Sequence, residues 1–89
     1  MKTISDPAKA AANRRAHGVT FAEAGSVFGD PLAYDTPDGR FQNRMIIIGR
    51  SDRGRLLYVV HELVSDDLTR LISARLATRH ERKDYEEEG

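Results

Sequence analysis

At Asp30-Pro31 the hydrophobic period of the chain changes from helical to strand-like, and helical spacing returns only near the C-terminus. Before that break, Ser5 or Asp6 can cap a helix with Pro7 at its first position. Alanines at 8, 10, 11, 12 and 16 give this helix high intrinsic propensity, and Gly18 supplies a left-handed stop. Thr20 and Glu23 then stand at capping-box spacing, with Val19 and Ala24 as a weak hydrophobic staple, so a short second helix is expected to run to about residue 27 or 28. After the break, residues 32–35 read as a short strand followed by the turn Thr36-Pro37-Asp38-Gly39. Residues 45–49 are apolar and β-branched, a central strand. Ser51-Asp52-Arg53-Gly54 turns the chain into a strand at 56–63, and Ser65-Asp66-Asp67 turns it into another at 69–74. Thr78 and Glu81 repeat the capping-box spacing, which predicts a closing helix to about residue 85 or 87. The acidic end, 84–89, is expected to fray. Two helices, three or four antiparallel strands and a C-terminal helix make an α+β domain spanning 1–89, with the helices expected on one face of the sheet.

Composition narrows the chemistry. The chain has no cysteine, which excludes disulfides and thiolate metal sites. No apolar run approaches the roughly 18–20 residues that a membrane span needs, and residues 1–6 lack the basic and then apolar regions of a signal peptide, so a cytoplasmic protein is expected. Formal net charge is zero, which argues against a nucleic-acid binder until its distribution is read. Between Arg40 and Lys83 there are ten basic residues and five acidic ones, and the balancing acids lie earlier and in the tail. Nine of those ten are arginine, the better planar ligand for phosphate. On composition alone, a solvated surface with arginines in ordinary ion pairs accounts for the same residues.

Several segments together resemble the BrnT toxins of bacterial type II toxin–antitoxin systems. They are Asp6-Pro7-Ala8-Lys9, Asn13, His17-Gly18-Val19-Thr20-Phe21, Phe28 with Asp30-Pro31-Leu32, Ile48-Gly49, Arg55-Leu56-Leu57 and Val59-Val60. The closing stretch of Arg70, Ile72-Ser73-Ala74-Arg75, Ala77-Thr78, Glu81 and Tyr85-Glu86 matches best. Each motif is weak, but their order and spacing cover nearly the whole chain. The resemblance implies a RelE-like fold and a ribonuclease that arrests translation without a metal or other cofactor. It also implies a BrnA-like antitoxin, a 2:2 complex, and operator DNA contacted only through the antitoxin. The chain departs from the family pattern at Ser5, where a tryptophan usually stands, and at Ala16, where a lysine precedes the histidine.

Metal-free RNA cleavage needs a base for the 2′-hydroxyl, a stabiliser for the crowded phosphorane and a proton for the leaving 5′-oxygen. Arginines clamp phosphate oxygens, and histidine titrates in the right range. Arg75, at the junction of the last strand and last helix and inside the best-matching segment, is the first candidate. The structural alternative for it is a pair with Glu81 or with a backbone carbonyl. Arg79 and Arg82, three apart on the closing helix, can face the same groove or form a solvated helix face. Arg44 and Arg55 flank neighbouring strands and extend the basic surface.

Alternation puts Leu57, Val59, His61 and Leu63 on one strand face, so His61 is either a proton carrier or an interior histidine. Tyr85 either stacks on a base or covers the sheet. His17, at a helix C-terminus, suits the dipole without any catalytic role, and His80 is expected to be exposed. Three isolated histidines make a metal site improbable; no phosphate-binding glycine loop and no nucleophile elbow is present. Two rivals keep the scaffold and drop the chemistry: a catalytically silent antitoxin-binding relative, and an RNA-binding module that blocks without cutting.

Overall fold

Each helix begins where a side-chain oxygen can take up its orphan N–H groups. In the computed structural model, which describes residues 2–88, Asp6 accepts from the Ala8 N–H at 2.9 Å and opens α1 (Pro7–His17). Gly18, at φ 68°, closes it by donating to the Arg14 carbonyl. Thr20 caps α2 (Phe21–Ser26), which runs on into a single 3₁₀ turn, Val27–Gly29. The box at α3 (Arg79–Glu88) is reciprocal: Thr78 Oγ1 accepts from Glu81 N–H, and Glu81 Oε1 accepts from Thr78 N–H. Glu23 turns inward instead, for reasons given below.

Among the described residues, five strands form one mixed sheet in the order β1-β5-β4-β3-β2. Strands β2 (Tyr34–Pro37), β3 (Arg44–Arg50), β4 (Leu56–Ser65) and β5 (Leu68–Leu76) make the expected antiparallel meander. The fifth strand corrects the expectation of three or four antiparallel strands. β1 (Lys2–Ile4) pairs parallel with residues 68–70, and its three residues are all exposed. With no buried side chain, it has no hydrophobic pattern to read; it is held by backbone hydrogen bonds at the sheet edge. β2 also begins later than expected, because Asp30 first holds a turn, accepting from Leu32 N–H at 2.9 Å. Pro37 is tolerated there because β2 is an edge strand.

The sheet is covered on both faces. α1 and α2 close one face over Val19, Phe21, Ala24, Val27, Ile47, Leu57, Val59, Leu71 and Ala74. Gly49 lets this layer close, since a Cβ there would stand 2.8 Å from the Ala33 Cβ. A bulge at Ile72, between the pairs Val60↔Ser73 and His61↔Leu71, keeps both Leu71 and Ala74 on this side.

The second face buries Ile46, Ile48, Leu56, Val60 and Tyr85, so α3 lies opposite the other two helices rather than beside them. Tyr85 is the reason. Its ring is 6% exposed and its hydroxyl donates to Asp30 Oδ2 at 2.7 Å. α3 is helical through Glu88, and of the acidic end expected to fray, 84–89, Gly89 lies outside the described residues. No helix among the described residues is long and apolar enough to cross a membrane.

Candidate active site

The edge of β5 beyond Arg70 has no strand beside it, because β1 ends there. Asn13 of α1 takes the place of the missing strand. Its Nδ2 donates to the Ala74 carbonyl at 2.9 Å and to the Val19 carbonyl at 3.0 Å, and its Oδ1 accepts from Ala74 N–H at 3.0 Å. Asn13 is 7% exposed, so these bonds satisfy backbone groups that water cannot reach. One helical turn further on, His17 is carried past the sheet edge towards the second face.

There it meets residues from three other elements. A cleft of about 340 Å³ is lined by His17, by Asp38 and Arg40 of the loop at 38–43, by Tyr58 and Val60 of β4, and by Ser73, Ala74 and Arg75 of β5. A larger hollow of about 430 Å³ between Thr3, Phe21 and Phe28 contains no titratable side chain, so proton chemistry has no agent there. The cleft is the candidate site.

Arg75 is fixed on several sides. Its guanidinium lies 3.9 Å above the Tyr58 ring and forms a bidentate pair with Glu81 at 2.8 and 2.9 Å; Nη1 also donates to the Leu76 carbonyl. The Arg75 hydrogen bonds hold the Glu81 carboxyl below the usual carboxylate range, and Glu81 in turn raises Arg75. Both structural partners anticipated for Arg75 are therefore realised. A guanidinium has more N–H donors than these contacts use, and Arg75 keeps a face in the cleft. Arg40 is held in the same way by Asp38, whose carboxyl is lowered chiefly by the Arg40 side chain. The cleft thus offers oriented guanidinium groups, a phenol, a hydroxyl and an exposed imidazole, the ingredients for binding a phosphodiester and moving one proton.

The structure does not gather all the residues anticipated from sequence. His61 lies on the other face, 2% exposed, edge-on to Phe28 at 5.0 Å between ring centres. Its Nδ1 makes no well-formed hydrogen bond, Asp35 stands 3.9 Å from Nε2, and burial pushes the imidazole below its ordinary pKa. It does not meet Arg75.

Arg55 is committed to a structural network. Its side chain donates to both Glu23 carboxylate oxygens and to the Gly18 carbonyl, while Ser51 Oγ donates to Glu23 at 2.7 Å. This is why Glu23 does not complete the α2 capping box, and the Arg55 hydrogen bonds lower the Glu23 carboxyl. Tyr85 is buried in the second core and cannot stack on a base.

Arg79 and Arg82 are exposed on α3 and do not line the cleft, and His80 is exposed beside Asp84. Arg44 is half-buried at the start of β3, its guanidinium 4.3 Å from the Phe41 ring centre. Sequence reasoning missed Arg40 and Tyr58 and assigned His17 to the helix dipole alone. Their only signal was position: a helix end, a turn and a strand that the fold brings together. Among the described residues, no three His, Cys, Asp or Glu side chains group as a metal site requires.

Residues 6–81 match the family described as ribonuclease toxin, BrnT, of type II toxin–antitoxin systems. The fold is similar to the crystal structure of the Brucella abortus ribonuclease toxin BrnT, with a TM-score of 0.72 and 26% sequence identity over 89% of this chain and 99% of that one. No curated protein sequence matches the chain.

Proposed function

Since this chain belongs to the BrnT family of ribonuclease toxins of type II toxin–antitoxin systems, we propose that it cuts RNA in the cleft shared by His17, Arg40, Tyr58 and Arg75. The observation that supports this reading is their convergence from four elements on one concave surface. The reaction is an internal transphosphorylation that uses no metal. The His17 imidazole takes the 2′-hydroxyl proton as that oxygen attacks the adjacent phosphorus. Arg75, held over the Tyr58 ring, and Arg40 donate to the phosphorane oxygens, and the 5′-oxygen departs with a proton drawn from solvent or the Tyr58 hydroxyl. The products are a 2′,3′-cyclic phosphate and a 5′-hydroxyl. Loss of message by this route inhibits translation in the cytoplasm.

A type II toxin is one half of a pair with a protein antitoxin. The partner here is a BrnA-like antitoxin that silences the toxin in a 2:2 complex and carries the DNA contacts to the operator. Co-expression with the product of the neighbouring reading frame, followed by a measured mass of the complex, checks both points.

The test of cleavage is incubation of antitoxin-free protein with mixed-sequence RNA in chelator, alongside Arg75→Ala. Discrete fragments ending in cyclic phosphate are expected from the parent. The variant should lose at least about a hundred-fold in rate while keeping its Tm within a few degrees. A second reading, a silent RNA-binding relative, draws support from the carboxylates already paired with Arg40 and Arg75. It predicts intact RNA with salt-sensitive affinity.

A further inference from the structure

The loop between β2 and β3, residues 38–43, is braced at both ends. Asp38, 5% exposed, donates its N–H to the Arg44 carbonyl and accepts from Arg40 N–H at 3.1 Å and Arg40 Nε at 3.2 Å. Phe41 N–H donates to the Asp38 carbonyl, Asn43 adopts a left-handed φ of 66°, and the Asn43 carbonyl accepts from Leu63 N–H on β4. On this braced loop Phe41 is 50% exposed and belongs to neither core. Its ring is flanked by cations instead: the Arg44 guanidinium at 4.3 Å and that of Arg40 at 5.8 Å from the ring centre. Glu62, opposite Arg44 in the register, is taken by Arg70, and Arg44 forms no ion pair among the described residues. Arg40 is also a wall of the cleft, so the exposed ring adjoins the proposed site of cleavage.

A rigidly presented aromatic face between guanidinium groups, next to a phosphate-binding cleft, is what an unpaired nucleotide requires. The base stacks on the ring and the backbone runs along the cations. The other exposed large apolar residues, Ile4, Leu32, Leu63, Val64 and Leu76, are aliphatic and offer no π-face. We propose that Phe41 is the stacking platform for a base of single-stranded RNA beside the scissile phosphate, with Arg44 holding the neighbouring phosphate. This rests on the cleavage reading above and adds to it a specificity: unpaired RNA, with tolerance for which base stacks. Phe41 is a positioning residue and touches no reacting atom.

The sequence contains no tryptophan, so Phe41→Trp places a single reporter at the platform. Titration with a short 2′-O-methyl oligonucleotide, which cannot be cut, should quench its fluorescence, and a duplex of the same sequence should not. Against cleavable single-stranded RNA, Phe41→Ala should raise KM about ten-fold with little change in kcat, and Phe41→Trp should restore it. An unquenched Phe41→Trp, or a Phe41→Ala with parental KM, overturns the platform. Quenching by the antitoxin but not by the oligonucleotide also overturns it and makes Phe41 a protein contact. Parental protein that leaves RNA intact would defeat the cleavage reading separately, because the quenching needs no cutting.

Discussion

On the face covered by α1 and α2, the charged and amide side chains are spent on the fold. Glu23 holds Ser51 and Arg55, Asn13 closes the edge of β5, and His61 is sealed against Phe28. On the other face, the same strands leave a gap between the C-terminal end of α1 and the loop 38–43, and Arg40, Tyr58 and Arg75 line it with His17 at the rim. The difference shows that the kind of residue does not mark the site. Arg55 and Arg75 each carry a carboxylate partner, and His17 and His61 are the same residue type. Burial separates the two histidines, His61 sealed and His17 exposed, whereas the two arginines are about equally exposed and differ in that Arg75 lines the cleft and Arg55 does not.

The comparison can be broken most severely at Asn13. Asn13→Ala orphans the Ala74 N–H and the Ala74 and Val19 carbonyls, and should cost about 3 kcal/mol in denaturant unfolding. Stability for a domain of this size is only about 5–10 kcal/mol, so a loss below about 1 kcal/mol would mean that water reaches this edge. Glu23→Gln should come next, at about 2 kcal/mol, because the replacement leaves the Arg55 charge without its partner. RNA chemistry per folded molecule should not change in that variant.

A smaller effect is expected from pH. His61 has a folded-state pKa below its ordinary value, so below about pH 6.5 the unfolded chain binds a proton that the folded chain refuses. Stability should therefore be full at neutral pH and decline as pH falls through that window. His61→Phe should flatten the curve there, while the carboxylate-driven loss at lower pH persists. The smallest effects belong to Arg79→Ala and Arg82→Ala, on the exposed side of α3. Neither should move the Tm measurably, and a large loss of cleavage in either would extend the site beyond the cleft.

Much of the frame was legible in residues. The caps Asp6, Thr20 and Thr78 locate the helix starts, and the apolar runs with their turns locate β3, β4 and β5. β1 was not legible, because three exposed residues held by backbone pairing have no side-chain pattern. The side taken by α3 was not legible either, since it follows from the hydrogen bond of Tyr85 to Asp30, 55 positions away. Alternation grouped His61 correctly with Leu57 and Val59, yet which face would be closed depends on helices that a strand period does not place. Arg75 stood out at its strand–helix junction. Its companions Arg40, Tyr58 and His17 come from a turn, a strand and a helix end, and only the folded chain puts them side by side.

The central claim is that RNA chemistry belongs to the open face, and two histidines test it most directly. His17→Ala and His61→Phe should be assayed together against single-stranded RNA in chelator, each corrected for its folded fraction. The account predicts a loss of about a hundred-fold or more for His17→Ala and a parental rate for His61→Phe. Parental activity in His17→Ala with loss in His61→Phe would place the chemistry on the face that α1 and α2 close, and would contradict it.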